Sequence, residues 1–284
     1  MRLGINVSYR DADGAPLNAA GIAERARRIE DAGFDGIWQP DSLAPAAQPR
    51  PDPLVWLTVA ATATSRVTLG TAVYIVPFRN PLELAQRALS LQLISGNRLQ
   101  LGVGAGSNSE ALSLGGIPFD ERFSRLHSTM RIVKALCDGE HIEGAFLDPW
   151  PEVGTGPAFL LGAWHSEVSL KRAVRDYDGW ICSAGRTSLS VMQEGIARYR
   201  ELGGTRAVVA SCSVDLTAPY EKLDPDAPFS LRCPPEEAED RIHQLVELGF
   251  DELALQKAGG TAKRWEVDAT AEDLAAIRAL LPSS

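Results

Sequence analysis

Short apolar runs alternate along the chain with longer segments whose apolar residues recur every three or four positions. "LGIN" at residues 3–6 is followed by "AAGIAERARRIEDAG", in which Ile22, Ala26 and Ile29 fall on one helical face. Gly33 closes that helix where left-handed backbone is needed. The same pairing recurs as "GIWQP" with "DPLVWLTVAATAT", "VTLGTAVYIV" with "PLELAQRALSLQLI", and "LQLGVG" with "RFSRLHSTMRIVKALC". It continues as "AFLLG" with "SEVSLKRAVRDY", "GWICSA" with "SLSVMQEGIARYREL", "AVVASCSV" with "PEEAEDRIHQLVEL", and "ELALQ" with "AEDLAAIRALL". Counting the first, these are eight strand–helix pairs. The strands are apolar on both faces and no segment is left for a second domain, so a (β/α)8 TIM barrel over residues 1–284 is expected rather than a doubly wound sheet.

Two junctions echo each other, "DAGFDGIW" at 31–38 and "ELGFDELAL" at 247–255. Each sets a glycine at a helix end, an aromatic to pack beneath the turn and an acid at the strand entrance. An extended loop follows the seventh strand. "DLTAPYEKLDPDAPFSLRCPP", residues 215–235, is longer than an ordinary connection. It reads as a solvent-exposed insertion or, because it leaves on the face where a ligand would sit, as a lid.

With 284 residues, 45% of them hydrophobic, the chain can bury a large core. The net charge of −9 without a basic cluster argues against nucleic acid or an anionic membrane as partner and leaves a small molecule. "MRLGINVSYRDADG" lacks the order of a signal peptide, and no run of about 18 apolar residues is present, so a cytoplasmic protein is expected. Cys137, Cys182, Cys212 and Cys233 lie too far apart for a zinc or disulfide framework and read as reduced thiols.

In a barrel the chemistry sits where strands end and βα loops begin. The candidates there are Asn6 and Ser8; Gln39, Asp41 and Ser42; Ala72, Val73 and Tyr74; Ser107 and Asn108; Trp164, His165, Ser166 and Ser169; Ser183, Arg186 and Thr187; Asp215; and Gln256 and Lys257. They contain no carboxylate pair, metal triad or nucleophile–base pair, which points to a bound cofactor as the carrier of the reaction. "RLQLGVGAGSNSE", residues 98–110, lacks the third glycine of a dinucleotide fingerprint and follows the fourth strand instead of opening the first unit. Its glycines either clear a strand end for a flat ligand or relieve crowding at the rim. In "LLGAWHSEVSLKRAV" the strand ends at Gly162, Ser166 can cap the next helix and Ser169 lies one turn in. Free amides with hydroxyls there suit a phosphate, and a plain cap is the alternative. His127 and His243 fall on helices and His141 in a loop. His165 alone stands at a strand end, where a histidine can exchange protons. Trp38 and Trp56 read as core, whereas Trp164 and Tyr74 are placed to stack on a ring.

The segments "AGFDGIWQPDSL", "VTLGTAVYIVPFRNPLELAQRALSLQLISGNRLQLGVGAGS", "IPFDERFSRLHSTMRIVKALCDGE" and "AFLLGAWHSEVSLKRAVRDYDGWICSAG" together resemble the bacterial luciferase-like flavin oxidoreductases. That family includes flavin monooxygenases and enzymes using the deazaflavin coenzyme F-420. The resemblance implies a non-prolyl cis peptide at Ala72–Val73 against the flavin, a turn of Gly104, Ala105, Gly106 and Ser107 along the flavin edge, and a phosphate held by Ser166, Ser169 and the amides near Gly162 and Trp164. Many relatives carry an acid and a histidine after the second strand. Here the pair is Asp41–Ser42, so His165, Asp41 and Ser42 are the catalytic candidates. Luciferases proper place an arginine for the phosphate in the fourth-strand turn. The matching residue is Ala105, and Arg186 could supply the charge from another loop.

The resemblance implies a monooxygenase that applies reduced FMN and O2 to a small organic substrate, with a separate flavin reductase as partner and hydrogen bonds from Asn6, Asp41 and Ser107. The alternatives are hydride transfer with coenzyme F-420 and a flavin-binding barrel without catalysis. Relatives also imply a homodimer.

Overall fold

The computed structural model describes residues 1–11, 14–43, 50–258 and 268–281. Eight principal parallel strands close into a barrel: β1 (Arg2–Asn6), β2 (Gly36–Gln39), β3 (Thr68–Thr71), β5 (Leu99–Gly104), β6 (Ala158–Gly162), β7 (Gly179–Ser183), β8 (Ala207–Asp215) and β10 (Glu252–Lys257). They pair in that order, and β10 completes the ring by pairing with both β8 and β1. A two-residue strand, β4 (Tyr74–Ile75), prolongs the third position and pairs with β5. The expected (β/α)8 barrel is the fold observed. No helix among the described residues is long and apolar enough to cross a membrane.

The outer helices are α1 (Ala19–Asp31), α2 (Pro53–Ala63), α3 (Pro81–Ile94), α5 (Arg122–Cys137), α6 (Glu167–Asp176), α7 (Leu189–Glu201), α8 (Pro235–Glu247) and α9 (Ala271–Ala279). Most begin on a side chain that takes an otherwise orphaned amide: Asn18, Asp52, Asn80, Ser166, Ser188 and Thr270 each accept from the first turn.

The echoed junctions form one device. Gly33 and Gly249 adopt φ of 84° and 90°, and Phe34 and Phe250 are buried beneath them. Asp35 donates its N–H to the Leu3 carbonyl and accepts the Leu3 N–H on its carboxylate, both at 2.8 Å. Asp251 does the same to Ala207, at 3.0 and 2.7 Å. A third copy, Asp178 on Phe159 at 2.8 and 2.7 Å, follows Tyr177 instead of Gly-Phe, so the pattern that exposes the other two is missing. Each acid thereby fixes the start of one strand against its neighbour.

The floor of the barrel is filled by Trp38. A Cβ on Gly4 or Gly70 would lie 2.5 or 2.3 Å from its ring, so these strands carry glycine because the indole takes their side-chain space. Trp38 and Trp56 are both core residues, as expected. The four cysteines are free and buried.

Two elements were not expected. A short helix, α4 (Ser109–Leu114), precedes α5. A strand, β9 (Ser230–Arg232), pairs with the upper part of β8. The long seventh loop is therefore not a wholly solvent-exposed insertion. Its second half is a rim strand with Phe229, Leu231 and Cys233 buried, tied down by Arg241, which donates to the carbonyls of Ser230 (3.0 Å) and Glu221 (2.7 Å).

Candidate active site

The mouth is built around the break between β3 and β4. The Ala72–Val73 peptide is cis, at the position the resemblance implied. The Val73 γ carbons lie 2.4 Å from where a Cβ on Gly104 or on Gly162 would stand, and the Thr71 carbonyl oxygen lies 2.0 Å from a Cβ built on Gly102. These glycines are required by close approach of the chain's own third strand. Crowding, one of the two expected readings of these glycines, is what the packing displays, and the crowding atoms belong chiefly to the third strand. The result is a floor of Ala72 and Val73 packed over Leu160 and Ile181, apolar and without projecting bulk.

Asp41 fixes this segment. Its N–H donates to the Val73 carbonyl (3.3 Å), and its Oδ2 accepts from the Ile75 N–H (3.0 Å) and from Arg79 (2.6 Å). Arg79 also lies 3.6 Å from Asp52 and 4.1 Å above the Tyr74 ring, whose hydroxyl donates to Asp52 at 3.1 Å. The Asp41 side chain is 3% exposed; burial pushes its carboxyl up, against the pull of the Ile75 amide and Arg79. Ser42 beside it is half-buried. Tyr74 is fully buried under Arg79, so its ring does not stack on a ligand at the mouth, and the expectation of a stacking role is corrected.

At the β6 end, Trp180 Nε1 donates to the Ala163 carbonyl (2.9 Å), fixing the start of the loop into α6. Ser166 caps that helix, accepting from the Ser169 N–H (3.4 Å) and donating to the Ser169 Oγ (2.8 Å). Trp164, 69% exposed, and the exposed His165 project beside it. Glu167 in the first turn is paired with Lys171 (2.7 Å) and Arg198 (2.9 Å), and these cations hold its carboxyl down at about 2. The carboxylate beside the helix start is thus partly neutralised. Of the fourth-strand turn, Ser107 is exposed, whereas Gly104 and Ala105 are buried and Gly106 turns at φ 76°. Arg186 is exposed and makes no ion pair among the described residues.

Across the mouth, Asn6 and Gln256 share a cleft with Gln39, Arg50 and Lys257. Gln39 donates to the Val7 carbonyl (3.1 Å), Arg50 Nε to the Tyr9 hydroxyl (3.3 Å), and Lys257 is bound by Asp273. The structure adds Ser213 to this side. Its Oγ is buried without a hydrogen-bond partner among the described residues. Strict alternation along "AVVASCSV" hides it, because counting from Val208 turns Ser213 outward.

A closed parallel barrel with an apolar floor at Ala72 and Val73 and a hydroxyl-capped helix at its C-terminal rim places the chain among the TIM-barrel enzymes. More narrowly, the chain belongs to the luciferase-like monooxygenase family, whose pattern it matches over residues 1–259. It is an oxidoreductase of that family. A relative from Kineococcus radiotolerans, an F-420-dependent glucose-6-phosphate dehydrogenase, is 30% identical over 90% of this chain and 81% of its own length. The corresponding Amycolatopsis mediterranei enzyme is 27% identical over 93% of this chain and 85% of its own. Among solved structures, a Streptomyces bottropensis monooxygenase superposes with a TM-score of 0.78 at 20% identity, covering 99% of this chain and 98% of that one. An F-420-dependent secondary alcohol dehydrogenase follows with a TM-score of 0.70 at 17% identity, covering 98% and 99%.

Proposed function

We propose that this protein is an F-420-dependent oxidoreductase that moves a hydride between the deazaflavin and a small organic substrate. The observation that carries this reading is the relationship to F-420-dependent dehydrogenases along nine-tenths of the chain. The residues present fit such a group: a tricyclic ring needs a flat apolar floor, and Val73 between Gly104 and Gly162 supplies one. A phosphate needs free amides and hydroxyls, and the start of α6 with Ser166 and Ser169 supplies both. When bound, the deazaflavin supplies the hydride donor or acceptor.

The chain's own residues supply the rest. Ser166, Ser169 and the first amides of α6 bind the phosphate, and Arg186 adds charge from the next loop. Trp164, exposed beside the α6 start, would shield the ring from solvent, and Ser107 would hydrogen-bond to it. Asp41 holds the floor segment through Val73 and Ile75. With Ser42 standing where relatives have histidine, His165 exchanges the proton that accompanies the hydride.

A second reading, reduced FMN with O2 on an organic substrate, is favoured by the fold likeness to the Streptomyces monooxygenase. Fluorescence titration of the purified protein with F-420 and with FMN separates the two. Micromolar or tighter F-420 binding with substrate-dependent loss of deazaflavin absorbance supports the first. Binding of reduced FMN with oxygenation of an organic substrate, and no F-420 binding, supports the second.

A further inference from the structure

The side of the mouth opposite α6 carries a hydrogen-bonding belt. Asn6 on β1, Gln256 on β10, Ser213 on β8 and Ser230 on β9 are successive register partners across four adjacent strands. Paired residues of neighbouring parallel strands project from the same face of the sheet. On β10 that face is the barrel interior, because Glu252 meets Trp38 there and Ala254 packs with Trp38 and Val208.

Ser213 reaches this face through an irregularity. Val208 and Ala210 line the interior, and regular alternation would bring Cys212 inward next. Ser211 instead adopts φ 57° and the β8–β10 register shifts between Leu253 and Leu255, so Cys212 packs outward at the level of Leu255 and Ser213 turns in at the level of Gln256. Ser213 is 3% exposed, and its hydroxyl has no hydrogen-bond partner among the described residues. An unsatisfied buried hydroxyl is destabilising, so the irregularity places a group there that a bound molecule can complete.

The belt is neutral throughout. The basic side chains around it are engaged: Lys257 with Asp273, Arg50 with the Tyr9 hydroxyl, and Arg232 4.0 Å from the buried carboxylate of Asp215. That carboxylate, two residues beyond Ser213, disfavours an anion. Apart from Arg186 on the loop after β7, the residues assigned to the coenzyme lie on the arc from β3 to the start of α6, which leaves the β8–β10–β1 arc to the substrate.

We propose that Ser213, Gln256 and Asn6 form the substrate subsite, and that it takes an uncharged alcohol or carbonyl compound in preference to a phosphate ester; this rests on the F-420 reading. Ser213 is a specificity-determining residue that hydrogen-bonds the substrate oxygen.

The test uses the full-length protein loaded with F-420 and offered 2-propanol, cyclohexanol, glucose and glucose 6-phosphate, with loss of deazaflavin absorbance as the readout. At least one neutral probe is expected to turn over, with KM insensitive to added salt. Ser213→Ala is expected to raise that KM about tenfold, as loss of one hydrogen bond implies, while changing kcat and the F-420 Kd less than about twofold. Ser213→Thr, which keeps the hydroxyl, should retain most of the affinity, and Ser213→Ala, which removes an unsatisfied buried hydroxyl, should unfold at a temperature no lower than the parent. Turnover of glucose 6-phosphate alone, an unchanged KM in Ser213→Ala, or F-420 binding without turnover of any neutral probe overturns the proposal. Failure of the parent protein to bind F-420 is a separate result. It rejects the coenzyme assignment, and the subsite proposal falls with it.

Discussion

The indole Nε1 of Trp38 donates to Oε1 of Glu252 at 2.8 Å, joining two residues 214 positions apart across the barrel floor. Glu252 is fully buried, and its other oxygen accepts from Arg206 at 3.0 Å. Replacing Glu252 with alanine would strip both donors of their acceptor and leave the Arg206 cation without its carboxylate. A loss of about 3–5 kcal/mol is expected in urea unfolding, in line with the removal of one member of a buried ion pair. The site lies at the opposite end from the mouth, so coenzyme affinity of the folded fraction should be unchanged.

Gly104→Ala sets a methyl group 2.4 Å from a Val73 γ carbon. Overpacking of this kind costs about 1–3 kcal/mol, read as a shift in the denaturant midpoint. Adding Val73→Ala removes the obstructing methyls and should return a large part of that stability. A purely additive double variant would show that the two residues do not compete for the same space.

At the α6 start, Ser166→Ala with Ser169→Ala removes both hydroxyls assigned to the phosphate. F-420 affinity should fall at least about tenfold by fluorescence titration, the scale of one or two hydrogen bonds to a charged group. Helix capping is also lost, so stability should drop by about 0.5–2 kcal/mol. Glu167→Gln, which takes a negative charge from the same helix start, should tighten binding, most visibly at low salt.

His127 is half-buried, with Nδ1 3.0 Å from the Tyr177 hydroxyl, and burial pulls its pKa from 6.5 down to about 4. The folded state therefore favours the neutral ring. The protein should have full stability from this group above pH 6.5 and lose it progressively as pH falls from 6.5 towards 4, because the unfolded chain binds the proton first. His127→Gln should flatten that part of the stability–pH profile in calorimetry. An identical slope in the variant would assign the dependence to other groups.

Asp41→Ala leaves the Ile75 N–H and Arg79 short of an acceptor, although Asp52 remains 3.6 Å from Arg79. Destabilisation near the lower end of about 3–5 kcal/mol is expected, and Asp41→Asn, which keeps an oxygen for Ile75, should lose less. Ser42→Ala should stay within about 0.5 kcal/mol of the parent.

Much of the frame is legible in the chain because long periodic segments state their own secondary structure. The helices at Pro81–Ile94 and Arg122–Cys137 and the strands at Leu99–Gly104 and Ala158–Gly162 coincide with the segments that periodicity marks. The anchoring acids Asp35 and Asp251 are visible because a glycine and an aromatic precede each. Asp178 performs the same task without that signature. At the mouth, the Ala72–Val73 position follows from the family likeness, whereas the fate of Tyr74 and Asp41 does not. Their partners Asp52 and Arg79 sit on other segments, and only folding reveals that the ring is covered and the carboxylate engaged. Ser213 is hidden for a different reason: nothing in "SCSV" marks Ser211 as the residue that breaks the alternation.

That single out-of-step residue makes the chemistry of the mouth a matter of phase. Were Ser211 to adopt ordinary extended backbone, Cys212 would face inward and Ser213 outward, exchanging a hydroxyl for a thiol on the inner wall without a change of sequence. Deleting Ser211 would instead remove the irregularity and leave Ser213 facing inward, so the character of that wall is set by the conformation of one backbone position rather than by the letters around it.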